Sequence, residues 1–399
     1  MTDTKMTENP APSARFHTGR VLALSVCHFI HDAYSSFLAP LLPLLIEKLS
    51  MSLTQAGFLS TVMQLPALLN PYLGSLADRI SVRYFIIIAP ALTAVSMSLI
   101  GLAPGYGVLL LLLFVAGVSV AIFHVPAPVM VARMSGHRKG LGMSFFMTGG
   151  ELARTLGPLA AVAFVSWFGL QGFYPVMVPG LLASVWLFFR FRDIPVAIDK
   201  QRRTSIKESW RETKHVMQPL SAILVMRGFM HASVATFLPT YIKMDTGDLW
   251  LAGISLAVFE AAGVAGVMTA GTFSDRFGRR RTLMLSLLGA PACLFLFVAT
   301  AGWIRFGALV VLGFTLLSTT PVMLALVQEH GGKSPATSNG FFMMISFLAR
   351  SAVVVVVGLV ADMIGLRATY GISAGLGLIA IPFILKLPGK KPLSSAGIE

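Results

Sequence analysis

Asp32 follows His31 within an otherwise apolar stretch, "LALSVCHFIHDAYSSFLAPLLPLLI", and His28 stands one helical turn before it. Glu151 and Arg154 lie three apart in another such stretch, and Gln64, His124, Arg227, His231, Glu260 and Arg350 are spread through others. Side chains of these types are costly at lipid depth and are kept there for ion or substrate pathways. A buried carboxyl with no fixed cation can take up a proton at physiological pH, and imidazole titrates in the same range. Asp32, Glu260, Glu151 and His31 are therefore candidates for proton handling. Arg350, Arg154, Arg227, His231, Gln64 and His124 are candidates for holding a polar or anionic substrate, because a guanidinium fork matches an acidic group. Each also has a plainer reading. Glu151 and Arg154 share a helix face and could neutralise each other. His28 and His124 could be packed, hydrogen-bonded residues, Arg227 could bond helix carbonyls, and Gln64 could bridge helices.

The elements that position these residues follow from composition. The chain has 399 residues, 55% hydrophobic and only 12% charged, about half the charged share of a soluble protein. Runs such as "VLLLLLFVAGVSVAIF" cannot all be hidden in one water-soluble core, and in lipid only helices satisfy their own backbone. Spans of about 20 apolar residues can be marked twelve times, near 20–45, 53–77, 84–103, 106–131, 141–166, 171–190, 219–243, 250–273, 281–301, 304–328, 338–361 and 367–387. The first span is expected to be retained rather than cleaved, since no small-residue cleavage site precedes it. With the amino terminus placed in the cytoplasm, 24 Lys and Arg fall on the inner side and 4 on the outer, leaving Arg154, Arg227 and Arg350 within spans. This is the positive-inside pattern, and it accounts for the net charge of +14 through topology and contact with lipid headgroups rather than nucleic acid.

The chain repeats itself. Phe145-Phe146-Met147 matches Phe341-Phe342-Met343, and Leu152-Ala153-Arg154 matches Leu348-Ala349-Arg350, at an offset of 196. Gln64 meets Glu260 at the same offset, and Phe29, His31 and Phe37-Leu38 meet Phe229, His231 and Phe237-Leu238 at an offset of 200. The expected organisation is a tail (1–19), a first six-helix bundle (20–191), a linker (192–218), a second bundle (219–387) and a tail (388–399), with both termini cytoplasmic. Two halves of equal orientation are one of the known transporter plans.

"GSLADRISVRY" (74–84) and "GTFSDRFGRRR" (271–281) write the same charged link at equivalent places in the two halves. They resemble the loop between helices 2 and 3, and its copy between helices 8 and 9, of the major facilitator superfamily. The resemblance covers the whole chain. It implies an all-α membrane protein of twelve helices in two pseudo-symmetric bundles. It also implies a conformational latch on the inner face, made by Gly74, Asp78, Arg79, Gly271, Asp275 and Arg276; the alternative is a solvated charged turn. In the first copy Ile80-Ser81 replaces the usual glycine-bearing turn. A narrower likeness lies in 123–162, where Phe123-His124, Val131-Ala132-Arg133-Met134, Gly149-Gly150 and Gly157-Pro158 resemble the fosmidomycin-resistance group of drug exporters. That group carries an acid just after the histidine, where this chain has Val125-Pro126-Ala127.

Three function classes compete. A membrane enzyme or receptor is excluded, because no nucleophile–base set or nucleotide loop is present and "GRRRT" lacks the phosphate-loop order. Cys27 and Cys293 lie in different spans and supply no disulfide framework or metal spacing, so no metal or cofactor is expected. A passive channel needs no titrating carboxyls. What remains is a proton-coupled secondary transporter, expected to act as a monomer in a bacterial inner membrane. Its expected substrate is a small anionic or amphiphilic molecule, and its expected direction is efflux by antiport; an organic anion–proton uptake symporter is the alternative.

Overall fold

A computed structural model describes residues 16–70, 73, 83–136, 138–192, 206–330 and 335–388. Among these residues every regular element is helical. The first half contains α1 (Thr18–Ser35), α2 (Leu38–Leu49), α3 (Leu53–Gln64), α4 (Arg83–Leu99), α5 (Tyr106–His124), α6 (Ala127–Met134), α7 (Lys139–Phe168) and α8 (Val178–Phe191). The second contains α9 (Ile206–Thr246), α10 (Leu249–Phe277), α11 (Arg279–Ala299), α12 (Gly302–Glu329), α13 (Pro335–Ile364), α14 (Leu366–Leu378) and α15 (Ile381–Leu385). Ten segments of the described residues are long and apolar enough to cross a membrane. The other two expected spans correspond to α3, which runs on through a 3-10 turn to Leu69, and to the 30-residue α7 that carries Glu151 and Arg154. The expected linker is helical from Ile206 onward and continuous with the span that follows.

Besides the last span, which breaks between Leu378 and Ile381, two spans read as single helices are broken beside polar residues, and there proline gives the reason. The first breaks between Ser35 and Leu38. Pro40 has no N–H to offer the carbonyl of Ser36, and the hydroxyls of Ser35 and Ser36 fold back onto the carbonyls of Asp32 (2.8 Å) and Ala33 (2.7 Å). The fourth span breaks between His124 and Ala127, where Pro126 and Pro128 stand. Each break falls within four residues of a polar side chain at lipid depth, Asp32 in one case and His124 in the other. Discontinuous helices of this kind are common at transporter sites.

Within each half, α1 packs on α7 and α4 on both α5 and α8, while α10 packs on α12 and α9 on α13. The halves meet along α3 with α13, α7 with α10 and α2 with α9. Small residues permit the approach: a Cβ on Gly57 would lie 2.7 Å from the Val354 carbonyl oxygen, and one on Gly358 would lie closer still to the Leu53 carbonyl oxygen. Thr61 donates to the Ser351 carbonyl across the same seam (2.7 Å).

The seam ends at a helix cap shared between the halves. The Asp362 carboxylate accepts from the Leu53 amide (2.7 Å), the Thr54 amide (2.8 Å) and the Thr54 hydroxyl (2.6 Å). Ser52 and Gln55 cap each other reciprocally at the same helix start. All the amides from Ser52 to Gln55 thus have side-chain acceptors, two of them supplied by the opposite half, and a carboxylate at a helix N-terminus also meets its favourable dipole. This is the far side, opposite the end that holds Phe191 and Ile206. The described bonds between halves run from the far side to mid-depth.

Replacing Asp362 with Ala should cost far-side closure about 1 kcal/mol, the usual worth of an exposed cap. Spin labels at Trp167 and Met363, exposed far-side residues of opposite halves, should report a roughly fivefold larger population of long distances. An unchanged distance distribution would remove the cap from the closing interactions.

Candidate functional site

The centre of the first half is a carboxylate ringed by imidazoles. On α1, His28 Nε2 lies 3.1 Å from Asp32 Oδ2, the two being one turn apart, and His31 Nδ1 lies 2.9 Å from Asp32 Oδ1. His124, at the broken end of α5, brings its Nε2 to 3.4 Å from the same oxygen. His31 is fully buried, with its ring stacked on Phe123 at 4.4 Å, and its Nε2 has no hydrogen-bond partner among the described residues. His28 is buried against Phe146, while 37% of the His124 side chain stays exposed and gives the cluster an opening. Gly150 on α7 makes the space: a Cβ there would stand 2.7 Å from His28 Cε1 and 3.3 Å from Asp32 Oδ2. No arginine or lysine is within ion-pair distance of Asp32 among the described residues.

The second polar system joins the halves. Arg154 on α7 donates to the Glu260 carboxylate on α10 at 2.7 Å, and its other terminal nitrogen lies 3.5 Å from Glu151. Arg154 is fourteen residues from the far-side end of α7 and Glu260 eleven from that of α10, about 21 and 16 Å at the helical rise, which is mid-depth in the bilayer. One guanidinium thus serves two carboxylates. The local-neutralisation reading of Glu151 and Arg154 is therefore incomplete, because the shorter bond goes to the opposite half.

The third system is a small cavity of about 50 Å³ in the second half, lined by Arg227, His231, Thr320, Phe342, Ser346 and Arg350 among others. Arg227 spends Nε and Nη2 on the Leu316 carbonyl (3.2 and 3.1 Å) and Nη2 also on the Thr320 hydroxyl (3.1 Å). Nη1 is left for other contacts. Arg350 forms no salt bridge among the described residues; its guanidinium carbon sits 5.5 Å from the Phe347 ring centre. Two guanidinium groups therefore face one cavity with no carboxylate in its lining, an arrangement that attracts an anion.

The structure brings the candidate residues into groups that differ from the expected ones. His124 joins Asp32 rather than the arginines, and Arg154 is held by Glu260 rather than being paired with Arg350 around a ligand. Gln64 donates to the Ser60 carbonyl of its own helix (3.2 Å), and its Oε1 is buried without a partner among the described residues. Gly74, Asp78 and Arg79 of the first charged link lie outside the described residues. In the second link, Asp275 pairs with Arg279 rather than Arg276. Arg279 also bonds Glu329 (2.9 Å) and the Ser274 hydroxyl. This cluster ties α10, α11 and α12 together inside one half, and Gly271 contributes its carbonyl oxygen to Arg279. His28 and Asp362 were not among the sequence candidates. The spacing of His28, one turn before Asp32, is visible in the sequence but reads as that of a packed histidine; nothing local marks Asp362.

The family model of the Major Facilitator Superfamily matches residues 24–354 and 252–399. This chain belongs to that superfamily. It is 29% identical over 395 residues to the "Fosmidomycin resistance protein" of Escherichia coli (strain K12), covering 94% of this chain and 97% of that protein. It is 25% identical over 273 residues to "Multidrug resistance protein MdtG" of Salmonella typhimurium, covering 65% and 68% of the two. Among solved structures, a bacterial homolog of the human lysosomal transporter Spinster, inward-facing and occupied, superposes with a TM-score of 0.81 at 16% identity, covering 94% of this chain and 97% of that one. The fold is therefore the facilitator fold, and the protein is a membrane transporter rather than an enzyme.

A double-mutant cycle tests the cross-half pair in this facilitator. Arg154→Gln and Glu260→Gln should each destabilise the protein, and the double variant should be more stable than the sum of the single losses. A coupling energy of about 1 kcal/mol is expected in thermal unfolding of the detergent-solubilised protein, given the partial exposure of the arginine. A coupling within error of zero would make the contact incidental.

Proposed function

We propose that this facilitator exports a small anionic or amphiphilic compound in exchange for protons, by alternating access. The observation that carries the reading is the placement of opposite chemistries in the two halves. Asp32 and its imidazoles form a proton-accepting group in the first, and Arg227, His231 and Arg350 form an anion-attracting cavity in the second. The Arg154–Glu260 bond spans the gap between them. The far-side contacts hold one end closed, and the partly exposed His124 links the Asp32 cluster to the remaining space. Protonation removes a charge that is expensive to carry through a closed, drier intermediate, so proton occupancy biases which way the halves rock.

The excess of Lys and Arg on the linker side supports placing that side and both termini in the cytoplasm, and the bacterial relatives support an inner-membrane location. Efflux is supported by the resistance named for the two relatives. The second reading, an organic anion–proton uptake symporter, is favoured by one feature. An anion that draws Arg154 away from Glu260 leaves a carboxylate that a proton must neutralise, so both would load together.

Proteoliposomes separate these readings, with fosmidomycin, a phosphonate, as the probe. Antiport predicts accumulation in vesicles with an acidic lumen, and symport in vesicles with an alkaline lumen. Equal uptake whatever the gradient would exclude proton coupling. Asp32→Asn should abolish gradient-driven accumulation while sparing exchange at equal pH. Arg350→Lys keeps the charge but loses the planar fork, and should weaken binding about tenfold; affinity unchanged even in Arg350→Ala would reject the anion site.

A further inference from the structure

We infer that His28, Asp32 and His124 form a binding site for one divalent transition-metal ion of the zinc class. The inference rests on the geometry of the three side chains and not on the transport reading.

Tautomers come first. His28 Nδ1 faces the Phe146 carbonyl oxygen at 2.8 Å, and His124 Nδ1 faces the Val120 carbonyl oxygen at 3.1 Å. A carbonyl only accepts, so each Nδ1 carries the hydrogen. The Nε2 atom of each neutral ring is then a lone-pair acceptor. These two atoms face each other at 3.3 Å, and they lie 3.1 and 3.4 Å from the Asp32 carboxylate oxygens. Three acceptors at these separations repel unless positive charge lies among them. Either protons or a cation must supply it.

The 3.3 Å between the two ring nitrogens, and the 3.1 and 3.4 Å from each to its own oxygen of the carboxylate, suit an ion held by both rings and Asp32. Zinc binds imidazole nitrogen and carboxylate oxygen at about 2.0–2.1 Å, which places neighbouring corners of a tetrahedron about 3.3–3.4 Å apart. The Nδ1–H bonds to backbone carbonyls are the outer-shell contacts that fix ligating histidines in other proteins. Three ligands leave a fourth corner free, and the exposed part of His124 provides an entry path. His31 touches the carboxylate from its buried side and has no second ligand direction toward the gap. The ion would tie α1 to the broken end of α5. Protons on His28, His31, His124 or Asp32 compete with it, so affinity should fall as pH falls. Arg154, Glu151 and Glu260 are occupied with one another.

The test uses purified full-length protein in detergent, with Co²⁺ and Zn²⁺ as probes. His215 and His330, whose rings lie 6.3 Å apart on the linker side, are first replaced by Ala to remove a competing pair. In that background Co²⁺ should bind one to one and develop the visible absorption of a tetrahedral ion, and Zn²⁺ should displace it. His28→Ala and His124→Ala should each weaken Zn²⁺ binding at least tenfold, and Asp32→Asn should do the same. Unchanged thermal unfolding will show that the variants are folded. Zn²⁺ affinity that persists in a folded His28→Ala/His124→Ala double variant, or is lost with His215 and His330 alone, would overturn the site. Transport is not needed for this readout, so failure of proton coupling leaves the metal result intact, and the converse also holds.

Discussion

A carboxylate placed at lipid depth must be neutralised, paired or hydrated, and the Asp32 carboxylate is surrounded instead by three imidazoles. An arginine would hold it ionised through the whole cycle. An imidazole is not a fixed cation, and much of the first half is arranged to bring three of them to Asp32. The helix breaks after Asp32 and at His124 let α1 and α5 present polar side chains toward each other. Gly150 removes the side chain that would otherwise fill the space beside His28. The same constraint, met with a fixed cation, gives the opposite result at Glu260, which Arg154 holds from the other half.

The seam between the halves follows from this division. At the far side it is made of glycine contacts and a shared helix cap, which are short-range and easily separated. At mid-depth it is an ion pair, sensitive to any anion that competes for Arg154. The charged cluster of Asp275, Arg279 and Glu329 near the linker side stays within one half. A molecule closed at one end by weak contacts and joined at its centre by a displaceable pair is suited to rocking between two states.

Most of the fold was legible in the sequence because lipid imposes a simple rule: about 20 apolar residues for each span. The repeat between Leu152-Ala153-Arg154 and Leu348-Ala349-Arg350 pointed to two related halves. The site was less legible. Asp32, His31, Glu260 and Arg154 stood out as polar residues in apolar runs, but their partners did not. His124 lies 96 residues from His28, and Glu260 lies 106 from Arg154. Such pairings are set by helix packing, which hydropathy does not encode. Arg154 and Arg350, equivalent in the repeat, meet different neighbours: Glu260 holds the first, and the Phe347 ring lies beside the second. Pro40, Pro126 and Pro128 did mark the helix breaks, but span-length reasoning passed over them.

The proposed exchange of compound for protons requires that proton occupancy at Asp32 and substrate occupancy exclude each other. The most direct measurement is of protons exchanged when fosmidomycin binds the purified transporter in weak buffer, with binding followed in parallel by calorimetry. The account predicts proton release on binding to the wild-type protein and none on binding to Asp32→Asn. Binding without proton exchange, or the same release from the variant, would contradict it.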